Sequence, residues 1–181
     1  MKSIINWCKT LFIGTGLCLL SVPATYAVAS TQPLRLLSAT TTYNQTSAWG
    51  ATYYLTLTLP ASATESVSQI ALSQIQGLDT VRFNSQASFA LRKTGDRTES
   101  AQKSGITLTN SKSQPRTIIV NFEQPLAPGE TIKLGLKPVR NPIYDGVYQF
   151  QVQTASTSQQ INNRVIGTAR LHFYNGVNNE E

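Results

Sequence analysis

Beyond position 29 this 181-residue chain has no cysteine, since its only two, Cys8 and Cys18, both stand near its start. The remainder therefore has no thiol for a disulfide, a nucleophile or a metal ligand. Histidine is almost as scarce. The single one, His172, stands in Arg170-Leu171-His172-Phe173-Tyr174, where a period of two places it opposite Leu171 and Phe173 and so towards solvent. Its neighbours supply neither a nucleophile for it to activate nor further zinc ligands. Acids number nine, few for the paired carboxylates, about 5 to 9 Å apart, that glycoside hydrolysis needs. Glu123 and Glu130 flank one turn and are expected to approach across a hairpin, but two loop glutamates fall short of the six to eight oxygens that calcium takes. No GxSxG elbow, HExxH helix or phosphate-binding glycine loop is present. No catalytic, cofactor-binding or metal-ligating residue is expected.

Long apolar runs are missing too. The run Leu11 to Val22 is about 12 residues, against the roughly 20 needed to span a bilayer. Preceded by Lys2 and Lys9 and followed by small residues ending in Ala27-Val28-Ala29, it reads as a secretory signal peptide, residues 1–29. Leu17 stands where a lipoprotein signal has a small residue before its cysteine, so no lipid anchor is expected at Cys18. The chain is thus expected to be exported to the periplasm or cell surface, with the thylakoid lumen as the alternative, and not to span a membrane once the leader is removed. Residues 30–181 amount to one domain, with 13 Lys/Arg against 9 Asp/Glu. The positive charge is uneven: Arg82 to Arg140 holds ten Lys/Arg against Asp96, Glu99, Glu123 and Glu130. Such a field suits phosphorylated or carboxylated envelope glycans, although it also reads as an ordinary solvated face. It is too slight, without a recognition helix or an aromatic RNA-binding motif, to point to nucleic acid.

What the sequence does have is alternation. Tyr53, Leu55, Leu57 and Leu59 alternate with Thr52, Tyr54, Thr56 and Thr58 until Pro60, which means a strand with one buried face. The pattern recurs at Ile118, Val120 and Phe122, at Ile132, Leu134 and Leu136, and at Tyr148, Phe150 and Val152; a last strand, Val165 to Tyr174, buries Ala169, Leu171 and Phe173. Shorter strands are expected at Leu34 to Leu37, Val81 to Phe83 and Ile106 to Leu108. Val67 to Ile75 fits a helical stripe as well as a strand, and strand is preferred. In Leu126-Ala127-Pro128-Gly129-Glu130 the proline and glycine suit the centre of a type II turn, where two strands are expected to fold back. Arg92 to Ser104 and Thr154 to Asn163 read as polar loops. Strands joined by turns, with no convincing helix, predict an all-β, single-domain antiparallel β-sandwich of Ig-like or Greek-key type. A closed barrel fits the same periodicity.

Aromatic side chains can stack on sugars or anchor partners, but Trp49, Tyr53, Tyr148 and Phe150 are expected in the core. Arg140-Asn141-Pro142 reads as a fixed corner. Arg140, Asn141 and Tyr144, with Arg92, Lys93 and Arg97 of the charged loop, form the candidate binding patch.

Trp49-Gly50-Ala51-Thr52-Tyr53-Tyr54, Pro128-Gly129, Leu136-Lys137-Pro138-Val139-Arg140-Asn141-Pro142, Gly146-Val147-Tyr148-Gln149-Phe150 and Gly167 through Tyr174 together resemble the DUF2808 family of cyanobacterial exported proteins, over about residues 34–174. The resemblance implies a strand at Ile70 to Gln74 and no catalytic residues, the family being one of unknown function. The chain departs from it at Ala90, in place of a glycine, and at Ser156 to Asn163, in place of a Pro/Gly turn. The leading expectation is a non-enzymatic envelope or periplasmic module whose partner is a glycan or another envelope protein. The alternatives are a structural subunit pairing through a sheet edge and a carbohydrate-active enzyme.

Overall fold

A computed structural model describes residues 34–93, 101–155 and 164–176; residues 1–29 lie outside them, as do Arg97 and the segment 156–163. The alternating runs become ten strands: β1 (Arg35–Thr41), β2 (Tyr53–Thr58), β3 (Val67–Gln76), β4 (Phe89–Lys93), β5 (Ala101–Ser104), β6 (Ile106–Asn110), β7 (Thr117–Leu126), β8 (Thr131–Leu136), β9 (Gly146–Ala155) and β10 (Val165–Phe173). They form two five-stranded sheets, ordered β1-β2-β8-β4-β5 and β10-β9-β3-β7-β6, and every ladder is antiparallel. The inward rows meet face to face. Leu55, Leu57, Ile132 and Leu134 of the first sheet pack with Ile70, Leu72, Val120 and Val152 of the second, and each is at most 2% exposed. At about 1.5–3 kcal/mol for each large apolar side chain taken from water, this seam is the principal source of stability.

β1 and β10, edges of different sheets, lie against one another without sharing a ladder. On the other side β5 runs into β6 through Gly105 alone, so the chain changes sheets in one residue. The architecture is therefore a sandwich and not a closed barrel, and the connections that cross between sheets give it Greek-key interleaving.

Some expectations hold and others need correction. The type II turn is present: Gly129 has φ +86°, a conformation open to glycine, and the Glu130 N–H donates to the Ala127 carbonyl at 3.1 Å. It does not close a hairpin, because β7 and β8 belong to different sheets, and so Glu123 and Glu130 do not face each other across a ladder. Val81 to Phe83 contributes one isolated bridge, Phe83 to Pro138. Arg92 to Ser104 is not all loop: Arg92 and Lys93 close β4 and Ala101–Ser104 is β5, in a hairpin that pairs Leu91 with Lys103. Ala90 lies within β4, fully buried. Val67 to Ile75 is strand, flanked on both sides by β7 and β9; Ile70 and Leu72 turn into the core with Ala71 buried between them, whereas Ile75, the fourth member of the Val67, Ile70, Ala71 and Ile75 stripe, is 51% exposed, so no helical face is buried. His172 faces solvent, stacked on Tyr174.

The end of the sandwich opposite the Pro128-Gly129 turn gathers residues 42–52, 77–88, 111–116, 137–145 and 174–176. An aromatic cluster seals the core beneath them: Tyr53 lies 5.8 Å from Phe83, 6.2 Å from Phe150 and 5.6 Å from Phe173, and Tyr148 meets Phe173 edge-on at 5.4 Å. The Tyr148 hydroxyl donates to Asp79 Oδ1, while Asp79 Oδ2 accepts the Ile143 N–H at 2.9 Å. Burial, and then the hydrogen bond to Asp79, raise Tyr148 from the ordinary tyrosine value of 10 to about 12. Burial, with the nearby Tyr148 and Asp79, raises Tyr53 further still. The unfolded chain loses these protons near pH 10 while the folded chain keeps them, so the contribution to stability is complete below pH 10 and drains away as pH rises towards 12. Urea midpoints measured at stepped alkaline pH should fall across that window, and less steeply in Tyr148→Phe. A flat midpoint through the window contradicts the assignment.

Candidate functional site

The six residues expected to form one patch do not come together. Arg92 points inward from β4 and is 8% exposed. Its Nη1 donates to Glu130 Oε2 at 2.7 Å and its Nη2 to the carbonyls of Gln124 and Pro125. A guanidinium needs several acceptors in burial, and the end of β7 and the turn after it provide them; Arg92 ties the first sheet to the second. The Lys93 backbone pairs with Thr131 and Ala101, and Arg97 lies outside the described residues. Asn141 is fully buried and is a structural hub. Its Oδ1 accepts the Tyr53 hydroxyl at 3.0 Å, its Nδ2 donates to the carbonyls of Tyr43 and Gln45 at 3.0 and 2.9 Å, and its backbone N–H donates to Ala48 at 2.9 Å. Arg140 and Tyr144 remain exposed at the loop end. Trp49, expected in the core, is 71% exposed there.

The surface that combines aromatic rings with positive charge is the outer face of the first sheet. The register sets Tyr54, Gly135 and Phe89 side by side across β2, β8 and β4, and below them Thr56, Lys133, Leu91 and Lys103. Gly135 makes the arrangement possible: a Cβ there would lie 2.6 Å from the Phe89 ring, which instead lies across the bare backbone. Tyr54 meets Phe89 edge-on at 6.4 Å. The Lys133 ammonium sits 4.3 Å from the Tyr54 ring centre and the Lys103 ammonium 5.5 Å from that of Phe89, contacts worth about 0.5–1 kcal/mol each at the surface. The rings thus hold two exposed ammonium groups in place.

Beside Phe89 and Lys103 runs an open groove of about 440 Å³, lined also by Ser85, Gln86, Ser88 and Thr107. Its wall is fixed by hydrogen bonds. Asn84 Oδ1 accepts the N–H groups of Gln86 and Ala87, the Ser88 hydroxyl donates to the Asn84 carbonyl and accepts the Lys137 N–H, and Ser85 Oγ accepts the Leu108 N–H. The carboxylate of Glu123 packs against Gly105 at the groove margin. Among the described residues no three His, Cys, Asp or Glu side chains gather in one place. The groove offers hydroxyl and amide partners, an aromatic face and one cation, Lys103.

A family described as Protein of unknown function (DUF2808) matches residues 25–173. The chain belongs to that family. The DUF2808 match takes in all ten strands, ending at the last residue of β10. No curated protein matches the chain. Among solved structures the DUF2808 chain is similar to the collagen-binding domain from a Staphylococcus aureus adhesin, at 12% identity and a TM-score of 0.35, over 67% of this chain and 87% of that one.

Proposed function

We propose that this DUF2808 protein is an exported, non-enzymatic module of a cyanobacterial cell envelope that binds an anionic glycan on the outer face of its first sheet. The observation that carries the reading is the set Tyr54, Phe89, Lys103 and Lys133, with the hydroxyl-lined groove beside it. Sugars offer C–H faces to aromatic rings and hydroxyls to Ser, Thr and Gln side chains, while carboxylate or phosphate substituents pair with ammonium groups. Export is supported by the leader pattern of residues 1–29, and the non-enzymatic reading by the single histidine and sparse acids.

Retention on immobilised polygalacturonate and on heparin, eluted by salt, tests the reading. The wild-type chain should be retained at low salt and released as salt rises. Lys103→Gln/Lys133→Gln should weaken affinity by about tenfold, and Phe89→Ala by a similar factor. Gly135→Ala leaves every charge in place and displaces only the Phe89 ring, so weaker retention of that variant separates a shaped site from a merely basic protein. Glu123→Gln should bind more tightly. Wild type in the flow-through, or all variants eluting with it, would remove the proposal.

A further inference from the structure

Seven of the ten exposed large apolar or aromatic side chains among the described residues lie at one end of the sandwich: Tyr43, Trp49, Leu78, Val139, Ile143, Tyr144 and Tyr174. Such residues scattered singly over a surface would need no explanation; their concentration at one end does.

The loops that carry them are fastened to each other. The Ser47 N–H donates to the Pro142 carbonyl at 2.8 Å, Val139 to Arg82 at 2.8 Å, Tyr174 to Asn44 at 2.8 Å and Thr46 to Tyr174 at 2.9 Å. Asn141 and Asp79 pin the same loops from within. The exposed side chains therefore stand on a backbone already ordered by folding, and contact with a partner costs little further ordering.

The charge at this end has one prevailing sign. Arg82, Lys112, Arg116 and Arg140 are all exposed. Of the acids in these loops, Asp79 is engaged at both oxygens by Tyr148 and the Ile143 N–H, which leaves Asp145 as the exposed carboxylate. Trp49, Tyr43, Tyr144 and Tyr174 combine an apolar ring with a polar edge, the chemistry that settles at a bilayer–water boundary. Leu78, Val139 and Ile143 have nothing to offer a polyol but suit the upper acyl region. Cations around them match anionic headgroups.

We infer that this loop end docks on an anionic lipid surface, with Trp49 entering the interface. The side chains of this surface are not those assigned to glycan, although loop 77–88 carries both Leu78 and the groove residues Ser85, Gln86 and Ser88; either assignment can fail alone.

Trp7 and Trp49 are the two tryptophans of the chain, so in the full chain carrying Trp7→Phe all indole fluorescence comes from Trp49. The probes are phosphatidylcholine vesicles with and without phosphatidylglycerol, their acyl chains brominated as quenchers. Because the N-terminal apolar run can itself bring the chain to a vesicle, the readout is quenching and blue shift at Trp49 rather than co-sedimentation. With phosphatidylglycerol present Trp49 should be quenched and blue-shifted, and far less so on phosphatidylcholine alone. Arg82→Glu/Arg140→Glu should weaken that partitioning by about tenfold or more. Vesicle-bound chain whose Trp49 remains unquenched and solvent-like overturns the inference and leaves this end to a protein partner. Quenching equal on neutral and anionic vesicles, or unchanged by the charge reversal, overturns it as well.

Discussion

Asn141→Ala should lower the unfolding free energy by about 3–4 kcal/mol, since each buried polar group left without its partner costs about 1–3 kcal/mol. The Tyr53 hydroxyl loses its acceptor, and the Tyr43 and Gln45 carbonyls lose their donors. The Tyr53 ring lies in the sealed core, whereas Tyr43 and Gln45 stand in exposed residues whose carbonyls are partly rehydrated, which keeps the estimate below three full penalties. At about 2–4 °C per kcal/mol for a domain of this size, Tm should fall by roughly 10 °C. Asn141→Asp is the informative companion: a carboxylate still accepts from Tyr53 but cannot donate to either carbonyl and sets a buried charge against both, so it should recover none of the loss. Tyr53→Phe combined with Asn141→Ala should cost less than the two singles added. Urea titration of wild type and the four variants reads all of this, and an Asn141→Ala midpoint indistinguishable from wild type would show that Asn141 is not the hub described.

The second large effect belongs to Arg92. Arg92→Met should cost about 2–4 kcal/mol, since removing one member of a buried pair strands the other. The lower part of the usual range applies because the Glu130 side chain is 30% exposed and can recover water. Here too a paired change is the sharper test. Arg92→Met with Glu130→Leu should be less damaging than the sum of the singles, yet should not return to wild type, because Glu130 also accepts the Ala127 N–H at 2.8 Å and so helps to set the turn. Additive losses in that cycle would mean the two side chains act independently.

These two residues also show where sequence reading reached its limit. Period two located β2, β7, β8, β9 and β10, because each places large apolar residues on one face. It failed at β4, whose inward positions are Ala90 and Arg92 and whose outward ones are Phe89 and Leu91: the strand wears its hydrophobic pattern inside out. Arg92 reads as loop charge for the same reason. The pairing of β4 with β8 is a matter of register between distant segments, and with it the meeting of Phe89, Gly135 and Tyr54, which no local pattern encodes. Asn141 was legible as a corner before a proline, but its burial depends on loops about a hundred residues upstream. The average preference of tryptophan for interiors points Trp49 to the core, yet it is 71% exposed. The loop carrying it is tied outward by backbone bonds to Asn141 and Pro142.

The order of strands within the sheets has a consequence for how the chain acquires its shape. β8 joins β2 to β4, and β9 joins β3 to β10, so the central strand of one layer and an inner strand of the other arrive late. A chain freed only as far as the end of β7 has hairpins but no means of joining β2 to β4. Closing such distant pairings carries a loop entropy that slows the search, and until Thr131 onward appears the early hairpins present bare edges to one another. Maturation of this protein is thus a terminal event, committed only when nearly the whole polypeptide is free to move.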